Sequence, residues 1–304
     1  MSLDLQFRRE VAAPPEYVFD AFTSRGGQEA FYGQDDPGWI VRSQCDLRPG
    51  GVWTVAFGPS PSELYRHEHV FRVVDRPRRL VVATIETRLD NTTLATESEI
   101  TFEPRDGTTL VTIVQRGLPT AALRDEHASG LPNAVARLEA NIETRRRDLD
   151  AMARHVIDTN HYMVLGTLDP DGRPRLSPVY YTPARHRDFY WVSSPDAHHT
   201  HNVSRRPAVE IVIFNSTAAV GAGEAVYLTA TAREVGGDEL ENLIPEAFRP
   251  TAGARRFEPD ELRGAADLRL FVARLDSCEV HVPGGHPVHG RGLDSRQAAD
   301  PTRE

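Results

Sequence analysis

Lysine is absent from this chain: all 35 of its Lys and Arg residues are arginine. Lysine Schiff-base chemistry, covalent pyridoxal phosphate attachment included, is therefore excluded. So is a P-loop, whose lysine reaches the bound phosphates. Any phosphate here must be held by arginine, histidine or backbone N–H groups. Cysteine is nearly as scarce. Cys45 and Cys278 are the two present, far apart in sequence, which rules out a disulfide framework and any paired-cysteine metal spacing. No apolar run approaches the ~20 residues needed to cross a bilayer. MSLDLQFRRE lacks the apolar core of a signal peptide, so the expectation is a cytoplasmic protein with no membrane partner. A formal charge of −9 argues against nucleic acid as a partner. Ser177 and Ser193 lack the Gly-x-Ser-x-Gly setting of an esterase nucleophile, and the sequence points to no catalytic residue.

What is present is an ordinary globular composition, 39 % hydrophobic and 26 % charged over 304 residues, with room for two domains. The first half opens with a strand over Leu5–Val11, then prolines and apolar Val18, Phe19 and Phe22 that mark a short helix. Ser24–Gly38 reads as a loop. Strand-like runs follow at Gly51–Phe57, His67–Val74, Leu80–Glu86, Thr96–Phe102 and Thr108–Gln115, separated by turn residues, which predicts an antiparallel meander. Glu63, His67, Glu68 and His69 read first as a strand's solvent face, with a cavity lining as the other option. From Thr120 to Arg147 the period changes: Leu131, Val135, Leu138 and Ile142 recur at helical spacing, with Pro132 at a start or kink. Arg145-Arg146-Arg147-Asp148 reads as a join between domains, with a new short helix over Asp148–Thr159.

The second half carries the more specific pattern. An apolar run (Met163–Leu168), an Asp-Gly turn (Asp169–Gly172) and a strand (Arg175–Thr182) make a hairpin. An aromatic strand (Phe189–Ser193) leads to a polar segment with His198, His199, His201 and Asn202. Strands at Ala208–Phe214 and Ala225–Val235, a helix at Asp238–Phe248 and a strand at Leu268–Val282 complete this half. Tyr180, Tyr181, Phe189, Tyr190 and Trp191 read mainly as core or dimer packing. The three histidines lack the carboxylate or cysteine neighbours of a metal site. Residues 284–304, polar and rich in Gly and Pro, are expected to form a disordered tail that includes His286 and His289.

The words APPEYVFDAFT, DLRPGG (Asp46–Gly51), RVVDRPRRLV and ITFEPRDGTTLVTI resemble the START-like (SRPBCC) helix-grip superfamily, and within it the heat-shock-protein-90 ATPase activator homologue family. Met163–Val203 resembles the pyridoxamine 5'-phosphate oxidase-like split barrel. The resemblances imply an α+β chain: a helix-grip START-like domain over residues 1–147, then an FMN-binding-type split β-barrel over residues 148–283. They imply FMN as cofactor, with deazaflavin or haem as alternatives, a flavin-dependent oxidoreductase, a homodimer, and a small hydrophobic molecule held by the first domain. A non-enzymatic ligand-binding or stress-response protein is the competing reading. Carried over residue by residue, Arg175, Leu176, Ser177, Pro178, Val179 and Tyr180 would edge the flavin, and Val192 and Ser193 would contribute backbone and a hydroxyl. His198 and His199 would grip the phosphate where relatives show Arg or Lys, and Asn202 matches a polar position one turn later. Arg175, Arg205 or Arg206 could supply a cation.

Overall fold

The computed structural model describes residues 3–248, 255–290 and 292–303. It divides at Arg145/Arg146 into two compact units.

In the first unit β1 (Leu3–Val11) is followed by α1 (Pro15–Thr23) and α2 (Arg25–Phe31), then β2 (Ile40–Cys45), β3 (Val52–Ser60), β4 (Glu63–Asp75), β5 (Arg79–Thr87), β6 (Thr93–Arg105) and β7 (Thr108–Leu118). These strands form a seven-stranded antiparallel sheet in the order β1-β7-β6-β5-β4-β3-β2, so the predicted meander holds, with β1 closing beside β7. The core gathers Phe19 and Phe22 of α1, Trp53, Phe71, Phe102 and Val111 of the sheet, and Val135, Leu138 and Ile142 of the long helix α3 (Ala121–Thr159). That apolar stripe on α3 is the one its 3.6-residue period marks out.

Three local expectations fail for physical reasons. Ser24–Gly38 is not all loop. Ser24 caps α2 by accepting from the Gly27 N–H at 3.2 Å, and Gly27 lies so close to α1 that a Cβ would stand 1.9 Å from the Ala21 carbonyl oxygen. Gly27, one of the glycines that suggest a loop, is there for that close approach. Strand β2 escapes the sequence reading because it is a short edge strand, mostly half-exposed or exposed. The helix does not restart at Asp148: α3 runs on through Arg145, Arg146 and Arg147 and contains Pro132. Arginine is a good helix former, and nothing at the join breaks a helix.

The second unit begins in the last turns of α3. It continues with β8 (Tyr162–Leu168), β9 (Pro174–Tyr180), β10 (Thr182–Ala184), β11 (Asp188–Ser193), α4 (His198–Arg205), β12 (Ala208–Phe214), β13 (Ala225–Val235), α5 (Asp238–Ala247), β14 (Arg269–Val282) and β15 (Ser295–Ala299). The sheet has eight strands, in the order β10-β11-β14-β13-β12-β8-β9 with β15 added beside β14. Its interior is lined by Met163, Leu165, Ile211, Ile213, Leu228 and Phe271, all at most 2 % exposed.

The expected disordered tail is corrected here. Within it, β15 pairs with Cys278–Val282 of β14, and the Arg296 guanidinium lies 3.5 Å from the centroid of the Tyr227 ring. His289 is buried, with Nε2 at 2.6 Å from Asp148 Oδ2, and the Asp300 N–H donates to Asp150 Oδ1 at 2.6 Å. These attachments are polar, so an apolar-run criterion passes over them.

Candidate functional site

Asp169 follows β8 directly and opens the predicted turn. Gly172 there has φ of 84°, which glycine adopts without strain. The Asp169 carboxylate accepts from Arg175 Nε at 2.8 Å and Nη2 at 2.7 Å, and from Asn202 Nδ2 at 2.8 Å. Asn202, buried on α4, also donates to Thr167 Oγ1 of β8 at 3.0 Å. Those hydrogen bonds, Arg175 first, hold the Asp169 carboxyl well below the usual carboxylate range. The β8–β9 hairpin and α4 are thereby tied together by one charged cluster.

Beside it, Ser193 Oγ at the end of β11 lies 2.7 Å from His199 Nε2. Burial, then the neighbouring His198, lowers the His199 pKa, so this ring is neutral at pH 7. Helix α4 begins at His198 behind Ala197, which provides no side-chain cap. The backbone N–H groups of His198 and His199 have no acceptor among the described residues. A helix N-terminus with open N–H groups, flanked by two imidazoles and a serine hydroxyl, is a donor set suited to a phosphate.

The sequence-derived residues fall into three groups. Ser193, His198, His199, Asn202 and Arg175 converge on the start of α4 and the Asp169 carboxylate. Strand β9 splits by its two-residue period: Arg175, Ser177 and Val179 turn inward, whereas Leu176, Pro178 and Tyr180 are exposed. Val192 packs its side chain against the cluster around Tyr190 and Leu270. Arg175 is occupied by Asp169, and Arg205 and Arg206 are exposed. The residue sequence reasoning missed is Asp169. It stood in view as a turn residue, but its partners, 6 and 33 positions away, carry no local signal. Another cleft of this unit, of about 470 Å³, is lined by charges that already pair, Arg233 with Glu239 and Arg274 with Asp188.

The first unit holds a cavity of about 460 Å³. His67 and His69, two apart on β4, both line it, while Glu68 between them is exposed. The solvent-face reading of these histidines is thus corrected, and the cavity-lining option stands for them. Among the described residues no cluster of His, Cys, Asp or Glu is arranged to hold a metal ion, and no helix is long and apolar enough to cross a membrane.

Comparison with known proteins bears on both units. Residues 12–143 match the family described as Activator of Hsp90 ATPase homolog 1-like protein, and residues 149–280 match Pyridoxamine 5'-phosphate oxidase. No curated protein matches the chain. Similar solved structures include a protein of Chromobacterium violaceum, 20 % identical over 45 % of this chain and 96 % of that one, TM-score 0.40. A protein of Mycobacterium smegmatis is 22 % identical over 45 % of this chain and 89 % of that one, TM-score 0.39. A heme binding protein of Mycobacterium smegmatis is 22 % identical over 49 % of this chain and 57 % of that one, TM-score 0.38.

Proposed function

We propose that this chain, whose halves match the Hsp90 ATPase activator homologue and pyridoxamine 5'-phosphate oxidase families, is an FMN-dependent oxidoreductase acting on a small apolar organic molecule. The observation that carries the reading is the uncapped start of α4, where the N–H groups of His198 and His199 and the Ser193–His199 pair offer donors to one anion. In this reading the phosphate sits on those donors. Asn202 and Asp169 fix α4 against the β8–β9 hairpin, which keeps the donors in place. Strand β9 ends the sheet order, so its outer backbone edge is open to the polar rim of the flavin ring. FMN, when bound, supplies hydride or electron transfer; the protein binds and orients it.

A homodimer belongs to the same proposal. Tyr162 (64 % exposed), Leu176 (71 %) and Phe214 (45 %) lie on the outer face of β8, β9 and β12, opposite the buried Met163 and Leu165. A second copy would cover this apolar face. Titrating the protein with FMN and following quenching of flavin fluorescence tests the cofactor assignment. Saturable binding that weakens in the His198→Ala/His199→Ala variant is expected; wild-type protein that leaves flavin emission unchanged would overturn it.

A further inference from the structure

The cavity of the first unit has a polar end whose hydrogen-bond directions can be followed atom by atom. Glu86 of β5 is 7 % exposed and lines it. Its Oε1 accepts from Thr96 Oγ1 and Gln115 Nε2, each at 3.4 Å. Its Oε2 faces His127 Nε2 of α3 at 3.5 Å and His67 Nε2 of β4 at 3.8 Å, with no hydrogen bond of its own among the described residues. His127 Nδ1 lies 3.0 Å from Gln115 Oε1. That oxygen can only accept, so His127 donates from Nδ1 and turns its Nε2 toward Glu86 and the cavity.

His67 belongs to a longer chain. Its Nδ1 is 3.3 Å from the Tyr32 hydroxyl, which is 3.2 Å from His69 Nε2, and His69 Nδ1 is 2.8 Å from Thr84 Oγ1. At 3.8 Å His67 Nε2 makes no hydrogen bond to Glu86, and the bonded chain runs from His67 Nδ1 through Tyr32 and His69 to Thr84. Burial holds His67 and His69 neutral, with pKa values lowered to about 3 and about 4. Three polar atoms therefore converge on one volume without a hydrogen bond among the described residues: Glu86 Oε2, His127 Nε2 and His67 Nε2. The neighbouring cation, Arg88, is engaged with Glu126 at 2.6 Å. Around the polar end the wall is aromatic, with Tyr32 and Phe57 rings 4.8 Å apart and Trp39 and Trp53 alongside.

We propose that this cavity is a binding site for an apolar molecule bearing a primary ammonium group, whose three N–H bonds are received by Glu86, His127 and His67. Burial pushes the Glu86 carboxyl up, and an ammonium bonded to Oε2 favours its charged form while meeting the open imidazole nitrogens beside it. The aromatic wall adds cation–π attraction and covers the apolar body. A neutral alcohol of the same skeleton offers one donor and no charge. The site lies wholly within the first unit and does not depend on flavin binding in the second.

The test uses the full chain and a matched pair of probes, 4-phenylbutylamine and 4-phenylbutanol, each titrated by isothermal calorimetry with Trp39 and Trp53 emission as a second readout. The amine is expected to bind at least tenfold more tightly than the alcohol. Glu86→Gln should abolish that preference while leaving alcohol binding intact, which also shows the cavity still folded; His127→Leu should reduce the preference. Equal or weaker binding of the amine by the wild type, a preference that survives Glu86→Gln, or no binding of either probe would each overturn the proposal.

Discussion

The two units use histidine in opposite ways. In the first, His67 and His69 are buried, neutral and linked through Tyr32, and with His127 they surround a lone carboxylate. In the second, His198 is exposed and His199 half-buried at the open start of a helix. On the two proposals, the first arrangement would receive a cation and the second an anion. Residue type alone does not decide which. The sign follows from what the other ring nitrogen is bonded to and from the nearest backbone dipole.

The contrast can be broken most forcefully by damaging one core. Phe102 is 2 % exposed, with its ring centroid 5.4 Å from both Phe19 and Phe22. Phe102→Ala should cost about 3–5 kcal/mol, seen as an earlier first transition in chemical denaturation. Cavity binding should weaken with it, while FMN affinity stays unchanged, because the named phosphate contacts all lie in the second unit.

Acid should separate the units next. His67 and His69 have folded pKa values lowered to about 3 and about 4 by burial, against about 6.5 when unfolded. The unfolded chain therefore binds more protons across that interval, so stability is full above about pH 6.5 and falls as pH drops toward 4. By pH 5 the loss should be on the order of 2 kcal/mol per histidine, read by denaturation at a series of pH values. His67→Phe should flatten that dependence.

At the second site, His198→Ala/His199→Ala removes two donors worth about 1 kcal/mol each. FMN affinity should fall roughly ten- to thirtyfold in a fluorescence titration, with thermal stability little changed. The smallest expected effect is at the β15 strand: Arg296→Ala deletes the guanidinium stacked on Tyr227 and should cost about 0.5–1 kcal/mol, read from the midpoint of unfolding.

Much of this molecule is legible in the sequence, and the exceptions share a cause. Strand and helix periods locate β3 to β7 and the apolar stripe of α3 because burial imposes them. The family-like stretch from Met163 to Val203 places Ser193, His199 and Asn202 near one another. What stays hidden depends on partners distant in sequence. Glu86 gains its setting from His67 and His127, which stand 19 and 41 positions away on other elements. Asp169 looks like a turn residue until Asn202 reaches it from α4. The β15 strand is read as a tail because polar pairing with β14 and Tyr227 replaces an apolar signal. Alternation on β4 does put His67 and His69 on one side, but the sequence leaves open which side faces inward, and α3 with β5 settles that.

The most direct test of the central proposal is the visible absorption spectrum of the purified chain, taken before and after adding FMN and removing the excess by gel filtration. Retained flavin absorbance, released into the supernatant by heat and lowered in the His198→Ala/His199→Ala variant, is the predicted result. A chain that stays colourless after FMN is offered, or that carries a haem band instead, would contradict it.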